Sequence, residues 1–390
     1  MNCKSARLWL MLAIAGFYLI VFQVSVQAKA LPAANNPERW LERVQGKSVA
    51  VVVNQTSQLG QQHLVDFLLK HNIQIKRVFA PEHGFRGEAD AGAHLNDGVD
   101  AATGLPIVSL YGQQKKPLPE HLADVDTILF DIQDVGVRYY TYISTLHYVM
   151  EAAAEQRKAL VILDRPNPNG DYVDGPILEP AYQSFVGMHP IPLVHGLTVA
   201  ELAQMIKGEH WIKQSEFLEL AVIPMVDYRH RDVYSLPVRP SPNLRSDLAI
   251  RLYPSLGLFE GTLVSVGRGT DRPFEMIGWP HPQAGPFQFR PQALAGAMNP
   301  PYLNQLCYGW NLRAEQDSER QRFELKYLIR AYQSYRGAQD FFNPFFEKLA
   351  GTAVLRQQIE AGWDEAQIRA SWQKPLQAYQ QMRKQYLLYP

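Results

Sequence analysis

Charge of one sign is what this chain lacks: 38 Lys and Arg are matched by 38 Asp and Glu, for a formal net charge of +0. Chains that bind nucleic acid normally carry a basic excess or stripe, so no nucleic-acid partner is expected. Cysteine is almost absent, with only Cys3 and Cys307. Two such distant thiols offer no disulfide framework and no thiolate metal cluster. His63, His71, His94, His121 and His147 do not fall at metal-ligand spacing, so no metal is expected. There is no Gly-x-Gly-x-x-Gly turn and no Walker-type lysine loop, which argues against a nucleotide cofactor. Ser57, Ser109 and Ser144 lack the Gly-flanked elbow of a serine hydrolase, which weakens an esterase or amidase reading.

What is present begins with residues 1–30. Lys4 and Arg7 precede an apolar run from Leu8 to Val24, and small residues follow at Ala28 and Ala30. This is the pattern of a secretory signal, which places the mature protein in the periplasm or outside the cell. The rival is an uncleaved anchor, because the run approaches the length that spans a bilayer. Once the signal is cleaved, no membrane association is expected.

Beyond it, apolar strands alternate with helical spacing: Ser48–Val53, Ile73–Ala80, Ile107–Tyr111, Thr127–Asp131 and Ala159–Leu163, with helices over 60–71, 119–122 and 143–156. That alternation predicts an α/β fold with a doubly wound, mostly parallel, Rossmann-like sheet. Further expectations are a short linker and a first helix around Trp40-Leu41 within 31–46, a long loop at 88–105, and a helix from Val199 to Lys207 capped by Thr198 and Glu201. A strand at 217–223 and loops over 171–197 and 227–250 follow. A smaller C-terminal α+β domain closes the chain, with helices at 322–335, 353–361 and 364–386. The domain limits read as 31–252 for the catalytic part and 253–390 for the part that closes the cleft over it.

Three strand-end loops concentrate chemistry, at the edge where open α/β sheets place ligands. The first holds Glu82, His83 and Arg86; Glu82 is the candidate general acid, or else a structural partner of Arg86. The second holds Asp131 and Asp134, then Arg138, Tyr139, Tyr140 and Tyr142; Asp134 could serve catalysis or simply cap the next helix. The third runs Asp164-Arg165-Pro166-Asn167-Pro168. Farther on, Arg268 lies between two glycines, able to meet an anionic ligand or to pair with Asp271.

Taken with Asn54-Gln55-Thr56, Leu110-Tyr111-Gly112 and Phe259-Glu260-Gly261-Thr262, these segments resemble the exo-β-N-acetylmuramidases of the NamZ type. The resemblance spans most of the chain, and the run from Phe130 to Tyr142 is its most specific part. It implies release of non-reducing-end β-1,4-linked N-acetylmuramic acid from peptidoglycan fragments such as a MurNAc-GlcNAc disaccharide, with no cofactor. It implies Glu82 as acid, with Asp131 or Asp134 as base or cation stabiliser. Asn54, His83, Arg86, Tyr140, Tyr142, Asp164, Asn167 and Glu260 would line the sugar site. Muramic acid carries a lactyl carboxylate that glucosamine lacks, and Arg138 or Arg268 could read that charge. The competing reading is a non-catalytic periplasmic protein that binds wall saccharides in the same cleft. Retention or inversion, and the oligomeric state, stay open at this stage.

Overall fold

A computed structural model describes residues 30–85, 97–315 and 322–390. The expected roles of Arg86 and His94, and the signal segment before Ala30, fall outside the described residues. Seven strands form the main sheet: β1 (Ser48–Val53), β2 (Gln74–Ala80), β3 (Gly98–Val99), β4 (Pro106–Ser109), β5 (Thr127–Asp131), β6 (Ala159–Leu163) and β7 (Leu220–Ile223). Their spatial order is β7-β6-β5-β1-β2-β4-β3, all parallel except the edge strand β3. Leaving β3 aside, this is the strand order of a dinucleotide-binding sheet, with its switch point between β1 and β5.

The strands are apolar throughout because both faces are covered. Ala50, Val52, Ile128 and Phe130 pack into one core, whereas Val49, Val51, Val53 and Leu129 pack into a second on the opposite face. Helix α1 (Leu64–Lys70) covers the second face. Helices α2 (Tyr142–Glu155) and α3 (Val199–Gly208) cover the first, the latter capped by Thr198 and Glu201 as the sequence predicts. The first core continues into the C-terminal part through Phe259, Phe274, Phe346 and Tyr379. A three-stranded antiparallel sheet, Met276–Trp279, Cys307–Asn311 and Phe287–Phe289, and several short helices complete that part. Among the described residues no helix is long and apolar enough to cross a membrane.

Several expectations are corrected. Residues 31–46 form three short 3-10 turns in place of a linker and a helix around Trp40-Leu41. The long loop expected at 88–105 contains strand β3. The segment 364–386 is broken at Trp372 into Glu365–Ser371 and Gln373–Arg383. Pro375 explains the break: without an N–H it is tolerated in a first helical turn but not in a helix interior.

Most consequential is helix α4 (Asp247–Leu256), where loop was expected up to residue 250. The expected junction at 252/253 lies inside it. Ser246 caps it by accepting from the Ala249 N–H at 3.0 Å. Pro254 cannot donate back to Ile250, and the freed Ile250 carbonyl accepts from Asn169 Nδ2 at 3.2 Å instead. A partner from a distant loop thus makes a proline-containing helix tolerable, which local sequence cannot foretell.

Candidate active site

The C-terminal ends of β1 and β5 do not leave an open crevice. Asp131 is fully buried, and Arg165 grips it with Nε at 2.5 Å and Nη2 at 2.8 Å. Ser57 donates to the Asp131 carbonyl, while Thr56 Oγ1 donates to Asn54 Oδ1 at 2.6 Å and accepts from the Gln133 N–H at 3.0 Å. The switch point is filled by its own side chains.

Asp134 is also buried, and its Oδ2 accepts the Gly136 N–H at 2.6 Å. It caps that turn, not the following helix, and lies 3.8 Å from His195 Nε2. Gly136 has φ +77, and a Cβ there would stand 2.2 Å from Asn167 Oδ1, so only glycine fits. Asn167 donates to the Leu197 carbonyl at 2.8 Å and accepts the Asn169 N–H at 2.8 Å. Asp164 accepts from the Ala200 N–H at 3.0 Å and from the Tyr389 hydroxyl at 2.6 Å. Burial, only partly opposed by those bonds, pushes its pKa up to about 7. Asn54, Asp131, Asp134, Asp164 and Asn167 therefore form the packed floor under the loops, and none of them lines the open cleft.

The cleft opens beside this floor, at the ends of β2 and β4. It has a volume of about 370 Å³, and Glu82, His83, Tyr140, Glu260 and Arg268 from the sequence reading all line it. Glu82 reaches it because the chain turns sharply after β2. The Gly84 N–H donates to the Pro81 carbonyl at 3.0 Å, and His83 takes a left-handed φ of 70°. Such a backbone costs a non-glycine residue on the order of 1–3 kcal/mol and is held only where surroundings enforce it. Phe85 supplies that anchor, buried edge-on against His63 at 5.1 Å.

Thr141 donates to Glu82 Oε2 at 2.7 Å, and the Tyr111 hydroxyl hydrogen-bonds the same carboxyl. Burial, and then the charge of Glu82, raise the Tyr111 phenol above its ordinary value. Both partners are hydroxyls able to donate or accept, so both bonds can be kept whether or not Glu82 carries a proton. Across the cleft Arg268 binds Glu260 through Nε at 2.8 Å and Nη2 at 2.7 Å, with its guanidinium 5.1 Å from the Phe274 ring. The expected alternative pair with Asp271 is not formed; Asp271 meets Arg272 at 3.2 Å.

The tyrosines hold the walls. Tyr140 and Tyr142 donate to the Pro240 carbonyl at 2.7 and 3.3 Å, fixing the loop that brings Ser241 and Leu244 to the cleft. Tyr139 donates to the Tyr253 and Pro254 carbonyls at the end of α4, at 2.9 and 2.7 Å. Gly257 makes room for that ring, since a Cβ there would stand 2.4 Å from it.

Arg138 needs correction as a reader of substrate charge. It is fully buried and lines no part of the cleft. Its Nη1 donates to the Pro176 and Ile191 carbonyls at 2.7 and 2.8 Å, and its Nη2 to Leu349 and Ala350 at 3.0 and 2.6 Å. The guanidinium ties the two parts of the chain together. Four carbonyl dipoles replace an anionic partner, and burial lowers its pKa to about 9.

The sequence reading missed Tyr111, Thr141, Phe185, Tyr253, Phe274 and Phe345 as cleft residues. Tyr111 follows a parallel strand and Thr141 lies in the specific 130–142 run, so both were within reach of the strand-end argument. The others come from segments whose position depends on tertiary packing.

Two carboxylates, Glu82 and Glu260, in one aromatic-walled cleft, with no phosphate-binding turn beneath them among the described residues, are the apparatus of a glycoside hydrolase. Family models described as "Exo-beta-N-acetylmuramidase NamZ", N-terminal and C-terminal, match residues 49–248 and 251–389. The chain belongs to the NamZ exo-β-N-acetylmuramidase family. It is 38% identical over 374 residues to the peptidoglycan beta-N-acetylmuramidase NamZ of Bacillus subtilis, covering 90% of this chain and 89% of that one. Two DUF1343 family proteins from Bacteroides fragilis share the fold. One has a TM-score of 0.86 at 43% identity and the other 0.79 at 26%, each match covering 93% of this chain and 99% of theirs.

Proposed function

We propose that this protein is an exo-acting glycosidase that releases N-acetylmuramic acid from the non-reducing end of peptidoglycan fragments during wall turnover. The observation that carries the reading is Glu82, presented into an aromatic cleft by a strained turn and held by two hydroxyls. As general acid it gives its proton to the glycosidic oxygen as the C1–O bond breaks, water supplies the hydroxyl that ends on C1, and the water's remaining proton restores Glu82. Glu260 offers the second carboxylate of the cleft, beside the positive charge that develops on the sugar ring. In this reading Arg268, its partner, pairs with the lactyl carboxylate and so selects muramic acid over glucosamine. Asp131 is a poor candidate for the base, since Arg165 already satisfies both its oxygens in a dry interior.

Incubation of purified protein with MurNAc-GlcNAc tests the proposal: free N-acetylmuramic acid is the expected product. Binding without turnover would instead point to a saccharide-binding protein. The N-terminal pattern supports export. Fractionation with N-terminal sequencing of the mature protein checks it, and a mature chain that begins at Met1 in the cytoplasm would sink it.

A further inference from the structure

Two phenylalanines in the cleft have no part in the chemistry just described. Phe185 comes from the sheet-bearing part, and its carbonyl accepts from Ser144 Oγ at 2.6 Å. Its ring lies 6.0 Å from Tyr111, which itself bonds Glu82. It lies 6.3 Å from Tyr148, near-parallel at 17°, with Lys115 Nζ 4.9 Å from its centre. Phe345 comes from the C-terminal part, immediately before the short helix Phe346–Ala350, and is 39% exposed although Phe346 is fully buried. Both Phe185 and Phe345 line the cleft, and the two parts of the chain meet close by, since a Cβ on Gly187 would stand 3.7 Å from the Lys348 carbonyl.

A large apolar ring kept in water beside a polar cleft loses hydrophobic stabilisation unless a ligand covers it. The apolar C–H face of a pyranose is such a cover, since it packs flat against an aromatic ring while its hydroxyls stay wet. The ion pair of Glu260 and Arg268 marks the part of the cleft suited to the charged sugar that is released. Phe185 instead adjoins Tyr111, the hydrogen-bond partner of Glu82. An acid that protonates a glycosidic oxygen stands at the boundary between the released sugar and its leaving group.

Resting on the exo-glycosidase reading above, we propose that Phe185 and Phe345 form a leaving-group subsite that grips the sugar following the scissile bond by ring stacking, and so make the enzyme favour saccharide chains over short glycosides. The test compares MurNAc-GlcNAc with N-acetylmuramoyl β-fluoride, whose leaving group has no ring to stack. Phe345→Ala is expected to lower the ratio of kcat/KM, disaccharide over fluoride, by about threefold to tenfold, carried mainly by KM. Phe185→Leu shifts the ratio in the same direction, and Phe345→Trp restores it. A wild-type ratio in both Phe345→Ala and Phe185→Leu, with both substrates still cleaved, overturns the subsite alone. A wild-type protein that cleaves neither substrate overturns the glycosidase reading and the subsite with it.

Discussion

Thr141 and Glu82 stand 59 residues apart in sequence, yet the hydroxyl of one meets Oε2 of the other at 2.7 Å. Glu82→Gln is expected to lower kcat/KM on MurNAc-GlcNAc by about 10²–10⁴-fold, the usual worth of a general acid. The loss on the β-fluoride should be much smaller, because fluoride departs without a proton. Thr141→Val should reduce kcat by about tenfold through misalignment of the carboxyl, with Thr141→Ser near wild type. Equal losses on the two substrates in Glu82→Gln would remove the acid role.

Arg138 and Arg268 separate cleanly. Arg138→Met leaves buried carbonyls on both parts of the chain unsatisfied, and should cost at least about 3 kcal/mol of stability. Urea unfolding followed by tryptophan fluorescence measures it. The preference for muramic- over glucosamine-terminated substrates should not change in that variant.

Arg268→Ala should leave the fold intact and shrink that preference by about tenfold, the effect of one lost charge-assisted pair. Steady-state kinetics on the two glycosides decides it; an unchanged ratio would exclude Arg268 as the reader of the lactyl group.

Asp164 makes a pH prediction. Burial raises its folded-state pKa from 3.8 to about 7. The folded state therefore holds more protons than the unfolded one between those values. Its contribution to stability is fully present below about pH 3.8 and is lost as pH rises through about 7. Asp164→Asn does not titrate, so wild-type stability should decline relative to the variant by on the order of 2–4 kcal/mol across that window. Urea midpoints of both proteins over that range test it, and parallel curves would refute it.

The sheet was legible because it is built from short contiguous apolar runs whose two faces are both covered, and their length and flanking turn residues reveal them. Glu82 was legible for the same reason, as a carboxylate at the end of such a strand. Asp131 misled because a strand-end position says nothing about what neutralises the charge. Arg165, on the adjacent strand end, occupies it completely. Arg138 misled in the same way: its partners are carbonyls from residues 176 to 350, which leave no mark on the local sequence. Helix α4 escaped notice because Pro254 argues against it, and the compensating donor on Asn169 lies 81 residues earlier.

Tyr389 closes over this floor, its hydroxyl on Asp164 and accepting the Met225 N–H at 2.9 Å, while the Leu388 N–H donates to Glu201 at 2.8 Å. The contact with Asp164 spans 225 residues. A chain emerging from the ribosome in order thus exposes Asp164, Glu201 and Met225 long before the residues that seal them have been synthesised. Assembly of the catalytic half is therefore completed only after Leu388 and Tyr389 have left the exit tunnel.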